Sequence, residues 1–169
     1  MQSPIVATDI AQILRAPLPW ERFNGAVVLV TGASGMLAGY MVDALMALQT
    51  NGHGPSKVIA IARSESKARA RFKHWEENAA LHILQADVIT PIDVNGPVDF
   101  IVHAASQASP RFYGSDPVGT MLANVVGTKN LLELATRKKS SGFLFISSSE
   151  VYGELKPEQI PIGEETFGY

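Results

Sequence analysis

Two stretches of this 169-residue chain combine residue types that could do chemistry. Ser147-Ser148-Ser149-Glu150 stands directly after the apolar run Gly142-Phe143-Leu144-Phe145-Ile146. Hydroxyls both donate and accept hydrogen bonds, and a carboxylate can move a proton. Placed together at the end of a buried strand, they read as the polar half of an active site. The second stretch is Val30-Thr31-Gly32-Ala33-Ser34-Gly35-Met36-Leu37-Ala38-Gly39. Gly32 permits a sharp turn, Gly35 lets a pyrophosphate approach the backbone, and Ala38 lets a helix pack close to a strand. Ser34, Gly35, Met36 and Leu37 would then open a helix whose free N–H groups and positive dipole end suit a phosphate.

Three further places could serve the same ligand. A dinucleotide-binding strand-turn-helix usually has an Asp or Glu at the end of its second strand, which holds the ribose hydroxyls of NAD. Here that strand ends Ile61-Ala62-Arg63-Ser64, with no carboxylate, and Glu65 follows two positions late. Arg63 and Ser64 suit the 2′-phosphate of NADP, or Arg63 is simply solvated. In His103-Ala104-Ala105-Ser106-Gln107 the two alanines let backbone pass close to a cofactor. Pro110-Arg111-Phe112-Tyr113 reads as a polar, aromatic loop suited to a sugar and its phosphates, or as plain surface. Asn124 sits in an otherwise apolar helix, and a buried amide needs partners.

These residues require elements that place them. Val27–Val30, Lys57–Ala62, Leu81–Ala86, Asp99–Ala104 and Gly142–Ile146 are short apolar runs of the kind buried on both faces of a parallel sheet. Helical patterns over 36–49, 64–78 and 117–138 separate them, the last ending in Arg137-Lys138-Lys139, where cations favour a helix C-terminus. Alternating strand and helix predicts an α/β fold, a Rossmann-like doubly wound parallel sheet with its site beyond the carboxyl ends of the strands. Residues 1–25 read as a separate arm: Thr8 is expected to cap a helix through Arg15, Pro17 and Pro19 end it, and Trp20 and Phe23 anchor it. Residues 26–169 form the dinucleotide-binding domain.

Composition narrows the classes. The absence of cysteine excludes disulfides and thiolate chemistry, and His53, His74, His82 and His103 lack metal-type spacing. A net charge of −2 gives no reason to expect nucleic acid or an anionic membrane as partner. No apolar run approaches the ~20 residues that span a bilayer, and Met-Gln-Ser-Pro is not a secretory start, so a cytoplasmic location is expected.

The spacing Gly-x-x-Gly-x-x-Ala, with Ser148-Ser149-Glu150-Val151-Tyr152-Gly153, resembles the extended branch of the short-chain dehydrogenase/reductase superfamily, the NAD-dependent epimerase/dehydratase family. The resemblance runs from about Val27 to Phe167. Met36-Leu37 and Ala38 depart mildly from that family's Phe-Ile and final glycine. Asp87-Val88 matches the family's pair at the adenine edge, although Asp87 also suits a turn cap before Thr90-Pro91. The resemblance implies that Ser148 is the catalytic hydroxyl, that Glu150 manages a proton, and that Ala104, Ala105 and Ser106 border the nicotinamide ribose. It implies substrate contacts for Gln107 and Tyr113, and a role for Asn124 in holding backbone near the site.

Within the family, Ser-Ser-Glu lacks the Asp of the dTDP-glucose-type dehydratases. With the His-x-Ala-Ser loop it is most similar to the UDP-glucuronate decarboxylases. The implied function is oxidation of a nucleotide-sugar at C4 by bound NAD, or NADP, followed by decarboxylation. The alternatives are a 4,6-dehydratase, a 4-epimerase, or a non-catalytic dinucleotide-binding module. The family's Tyr-x-x-x-Lys, last strands and substrate domain are expected beyond Tyr169, in a protein roughly twice as long by domain size. This chain alone is therefore expected to be inactive. A homodimer is implied for the whole protein, with residues 117–138 at its contact.

Overall fold

The run Val27-Val28-Leu29-Val30-Thr31 is buried at every position and forms the central strand, β1 (Val27–Thr31). The structure, a computed structural model, describes residues 3–107 and 109–166, apart from the side chains of residues 110 and 111. Ala108 and residues 167–169 lie outside the described residues, as does the expected role of the Arg111 side chain. β2 (Lys57–Ala62) and β4 (Phe100–His103) pair parallel with β1 on either side. β3 (Leu81–Gln85) lies outside β2, and β5 (Gly142–Phe145) outside β4. The strand order is β3-β2-β1-β4-β5, the doubly wound parallel sheet that the strand–helix alternation predicts.

Successive strand residues face opposite sides of the sheet, so each strand feeds two cores. Val28, Val30, Val58 and Ala60 pack under α2 (Met36–Thr50) through Val42, Leu45 and Met46. Val27, Leu29, Ile59, Ile61 and Ile101 pack under α5 (Pro117–Lys138) through Leu131 and Leu134. α5 begins at Asp116, whose carboxylate accepts from Gly119 N, and ends with Lys139 in the left-handed region (φ 54°).

Four local expectations change. The arm's helix, α1 (Pro4–Leu14), starts before Thr8, because Pro4 fits the first helical position after Ser3. Thr8 Oγ1 instead donates to Pro4 O inside the helix. The arm docks through Ile10, which is buried, through Tyr40 Oη of α2, which donates to Asp9 Oδ2 (2.9 Å), and through the Phe23 ring, which meets Phe100 edge-on at 5.2 Å, whereas Trp20 Nε1 donates to Ala16 O within the arm. The charged helix is cut short. α3 (Glu65–Arg71) stops at Phe72, and a 3₁₀ turn over Lys73–Trp75 turns two side chains back onto α2. Residues Pro110–Tyr113, read as loop, open a short helix, α4 (Pro110–Ser115), again with proline at its start. Finally, the outer strands among the described residues, β3 and β5, are not buried on both faces: His82 and Gln85 are exposed in the first, Leu144 and Phe145 in the second.

Among the described residues, no helix is long and apolar enough to cross a membrane, and no cluster of three or more His, Asp or Glu could hold a metal ion.

Candidate functional site

The sheet order places β1 beside β4, so the chain turns to opposite sides of the sheet between them. That switch point is where open parallel sheets bind ligands. The glycine-rich turn and the Ala104–Ala105 turn meet there. Gly32 has φ +67°, and a Cβ added to it would lie 2.6 Å from Ala104 O and 2.9 Å from Ala105 N. Gly35 N donates to Gly32 O (2.8 Å), which tightens the turn, and Gly35 then caps α2 without a side chain. The first N–H groups of a helix have no intrahelical acceptor, so those of Met36, Leu37 and Ala38 open onto this cleft. Ser34, Gly35, Met36 and Leu37 are all exposed at its mouth. The floor admits no side chain and the rim offers unpaired donors, which fits a pyrophosphate.

Thr31 binds the two turns together. Its Oγ1 accepts from Ala104 N and Ala105 N (both 3.2 Å) and lies 2.9 Å from His103 Nδ1. With two donors already on the oxygen, the hydroxyl proton goes to Nδ1, so the ring carries its own proton on Nε2. His103 is 1% exposed, and burial pushes its pKa below the ordinary histidine value of 6.5. Its Nε2 has no hydrogen-bond partner among the described residues. Sequence reasoning noted His103 and Thr31 only as motif letters and missed the latch they form.

After β2, Arg63 is exposed and its carbonyl accepts from Gln85 Nε2 (3.1 Å). Ser64 caps α3, with Lys67 N at 3.4 Å and Ser66 Oγ at 3.1 Å from its hydroxyl. Glu65, which could have reached back to a ribose, is engaged by Arg69 Nε at 2.7 Å. Arg63, Ser64, Glu65, Ser66, Arg69 and Gln85 line one shallow hollow. After β3, Asp87 is a turn cap, accepting from Ile89 N through Oδ1 and from Thr90 N and Oγ1 through its carbonyl. Val88 is buried, and its carbonyl accepts from Asn130 Nδ2 (2.9 Å).

Asn130 (7% exposed) is thus a buried amide that holds the backbone after β3. Asn124 is half-buried, and its carbonyl accepts from Thr128 Oγ1. Ser106 is exposed, and Gln107 Nε2 donates to Asp116 Oδ2 (2.8 Å). That bond, with Gly119 N and the charge of Arg63, holds the Asp116 carboxyl below the usual carboxylate range. The dipeptide Asp116-Pro117, an N-cap followed by proline at the first helical position, is the signal that would have found Asp116. Tyr113, on α4, is exposed.

After β5, Ser148 Oγ accepts from Glu150 N (3.2 Å) and caps the 3₁₀ turn Ser149–Tyr152. The Ser148 O–H stays free to donate, and the Glu150 carboxylate is exposed. Since β5 lies beside β4, this pair sits next to the Ala104–Ala105 turn along the carboxyl edge.

Comparison with known proteins agrees with this geometry. The chain is 38% identical over 154 residues to UDP-glucuronic acid decarboxylase 2 of Arabidopsis thaliana, covering 91% of this chain and 32% of that protein. It is 34% identical over 142 residues to UDP-glucuronic acid decarboxylase 1 of Xenopus tropicalis, covering 84% of this chain and 31% of that protein. The chain thus spans about a third of the length of these relatives. Its fold is similar to UDP-glucuronic acid 4-epimerase from Bacillus cereus, solved in complex with UDP-glucuronic acid and NAD: TM-score 0.67 and 22% identity, over 85% of this chain and 46% of that one. The model of the NAD dependent epimerase/dehydratase family matches residues 28–169, a span that takes in every strand end described above, and the chain belongs to that family.

Proposed function

We propose that this chain is the dinucleotide-binding portion of a nucleotide-sugar-modifying enzyme, and that the reaction is decarboxylation of UDP-glucuronate. The observation that carries this reading is the seating of the Gly32 turn against Ala104–Ala105, with Ser148 and Glu150 on the next strand. The glycine turn and the start of α2 would hold the pyrophosphate. Ala104, Ala105 and Ser106 would border the nicotinamide ribose, and Asp87-Val88 the adenine. When bound, the dinucleotide supplies oxidation of the sugar at C4, and a ketone there lies β to the C5 carboxylate and eases loss of carbon dioxide.

The chain's own residues position and handle protons. Ser148 Oγ is oriented by the N–H it accepts and keeps its proton to donate to a sugar oxygen. Glu150, exposed beside it, would orient the sugar or move a proton. Gln107 and Tyr113 lie toward the same edge and would contact the sugar-nucleotide. The exposed apolar face of α5, Val118, Met121, Val125 and Leu132 at helical spacing, supports a homodimer of the whole protein.

Titration of the chain with NADH and NADPH tests the binding half, and absence of binding to either overturns it. Incubation of the protein containing this chain with UDP-glucuronate tests the reaction: released carbon dioxide supports decarboxylation, whereas a dehydrated or epimerised sugar without carbon dioxide assigns it to the other reactions of the family. The dinucleotide is NAD or NADP, and the residues after β2 favour NADP, because they include two arginines and their one carboxylate is engaged by Arg69. Arg63→Ala is expected to weaken NADPH about tenfold, the worth of one charge-assisted hydrogen bond, and to leave NADH nearly unchanged. Equal weakening of both would remove Arg63 from the 2′ site.

A further inference from the structure

We propose that Asp43, in the middle of α2, is a positioning residue for the adenosine end of the dinucleotide. It fixes α3, and with it the Arg63–Arg69 hollow, relative to the glycine-rich turn. The proposal rests on the dinucleotide reading above.

Asp43 is fully buried, a costly place for a carboxylate. It accepts three hydrogen bonds: from Arg71 Nη2 to Oδ2 (2.7 Å), and from His74 Nε2 (2.8 Å) and Trp75 Nε1 (2.8 Å) to Oδ1. All three donors belong to the end of α3 and the 3₁₀ turn after it. Phe72, between them in sequence, is buried in the core beneath α2. One helical turn before Asp43, a Cβ on Gly39 would lie 3.0 Å from Arg71 Nε and 3.1 Å from Nη2. The guanidinium therefore lies directly against the backbone of α2, and Gly39 N in turn donates to Gly35 O. A continuous set of contacts thus runs from the pyrophosphate turn through Gly39, Asp43 and Arg71 into α3.

The other end of α3 carries the hollow. Ser64 caps the helix, Arg63 precedes it, and Arg69 is paired with Glu65 along it. A nicotinamide dinucleotide has a limited covalent reach between its pyrophosphate and its adenosine 2′ position. One end would rest on the start of α2 and the other on the start of α3, so the spacing of the two helices decides whether both ends are gripped at once. Apolar helix packing alone tolerates sliding. Three donors converging on one carboxylate from different directions do not, because each bond weakens steeply with misalignment. None of the four clamp residues lines the Arg63–Arg69 hollow, so their effect on it would pass through α3.

The test is the preference between the two dinucleotides, measured by titrating NADPH and NADH into wild type and variants at a temperature where circular dichroism shows each folded. Asp43→Asn keeps the volume but sets an amide N–H₂ against one of the three donors. Whichever dinucleotide wild type prefers, that preference is expected to shrink toward one in Asp43→Asn, with the tighter ligand weakened roughly tenfold, the scale on which members of one hydrogen-bond network couple. Trp75→Phe removes a single donor and keeps the ring. It is expected to stay folded and to lose part of the preference, and it carries the test where Asp43→Asn does not fold. A lower melting temperature with unchanged preference makes the cluster a stabilising contact only and overturns the proposal. Wild type binding both dinucleotides equally also overturns it. Wild type binding neither overturns the dinucleotide reading together with it.

Discussion

Gly32→Ala is expected to eliminate measurable dinucleotide binding and to lower stability by roughly 3 kcal/mol, from left-handed strain and steric overlap together. Two costs coincide at this residue. Its φ of +67° disfavours any side chain, and the Cβ would overlap backbone, Ala104 O at 2.6 Å and Ala104 C at 2.8 Å, not a side chain that could rotate away. Relief requires β1 and β4 to part at their carboxyl ends, which opens the cleft the pyrophosphate would occupy. Gly96 separates the two costs. Its φ is +84°, but nothing lies within 4 Å of its added Cβ, so Gly96→Ala should cost only about 1 kcal/mol and leave binding intact. Thermal denaturation and NADPH titration of the pair decide the matter. A Gly32→Ala protein that melts and binds like wild type would show that the two turns are not in contact.

Thr31→Val comes second in expected effect. The hydroxyl is the acceptor for two backbone N–H groups and the partner of a buried imidazole, so an isosteric methyl leaves all three without it. Each stranded buried polar group costs about 1–3 kcal/mol, and partial relaxation should bring the total to roughly 3 kcal/mol. Thr31→Ser retains the oxygen and should stay within about 1 kcal/mol of wild type. If serine destabilises as much as valine, methyl packing and not the latch is what matters.

The same cluster sets an acid limit. The folded pKa of His103 lies below 6.5 because burial disfavours its charge, so below pH 6.5 the unfolded chain binds a proton that the folded chain refuses. Its contribution to stability is therefore complete above 6.5 and is lost as pH falls from there toward the depressed folded value, by up to about 1.4 kcal/mol per pH unit. Chemical denaturation at several pH values should show this slope in wild type and its loss in a folded variant lacking the imidazole.

The central strands were readable because their burial is a matter of composition: Val27–Val30 and Val58–Ala62 are apolar throughout and buried at every position. The long helix was readable at both bounds, 117–138, with the basic cluster Arg137-Lys138-Lys139 at its end; its start signal, Asp116-Pro117, went unused. The charged helix was misread past Phe72 because the reason it stops lies elsewhere. Asp43 sits in an apolar run, and its donors come 28 to 32 residues later. Pairing of that kind leaves no local pattern. Asp87 illustrates a different limit: the same carboxylate serves a turn cap, which any chain can use, and one of its oxygens remains for a ligand. Asn124 and Asn130 share one helix, and only the approach of the loop after β3 makes the second of them the buried one.

The strand Gly142–Phe145 bears on how the protein can be handled. Among the described residues it is the outermost strand on its side of the sheet, carries no charge or proline, and exposes Leu144 and Phe145. A strand with free backbone donors and acceptors and an apolar face is a template for the same strand of another molecule. A chain of these 169 residues in solution should therefore self-associate slowly and irreversibly, at a rate that rises with concentration and is insensitive to reducing agents, since no cysteine is present. Light scattering of wild type beside Leu144→Lys would reveal it: the lysine should suppress scattering without shifting the melting temperature by more than a degree or two, and equal scattering from both would place the cause elsewhere.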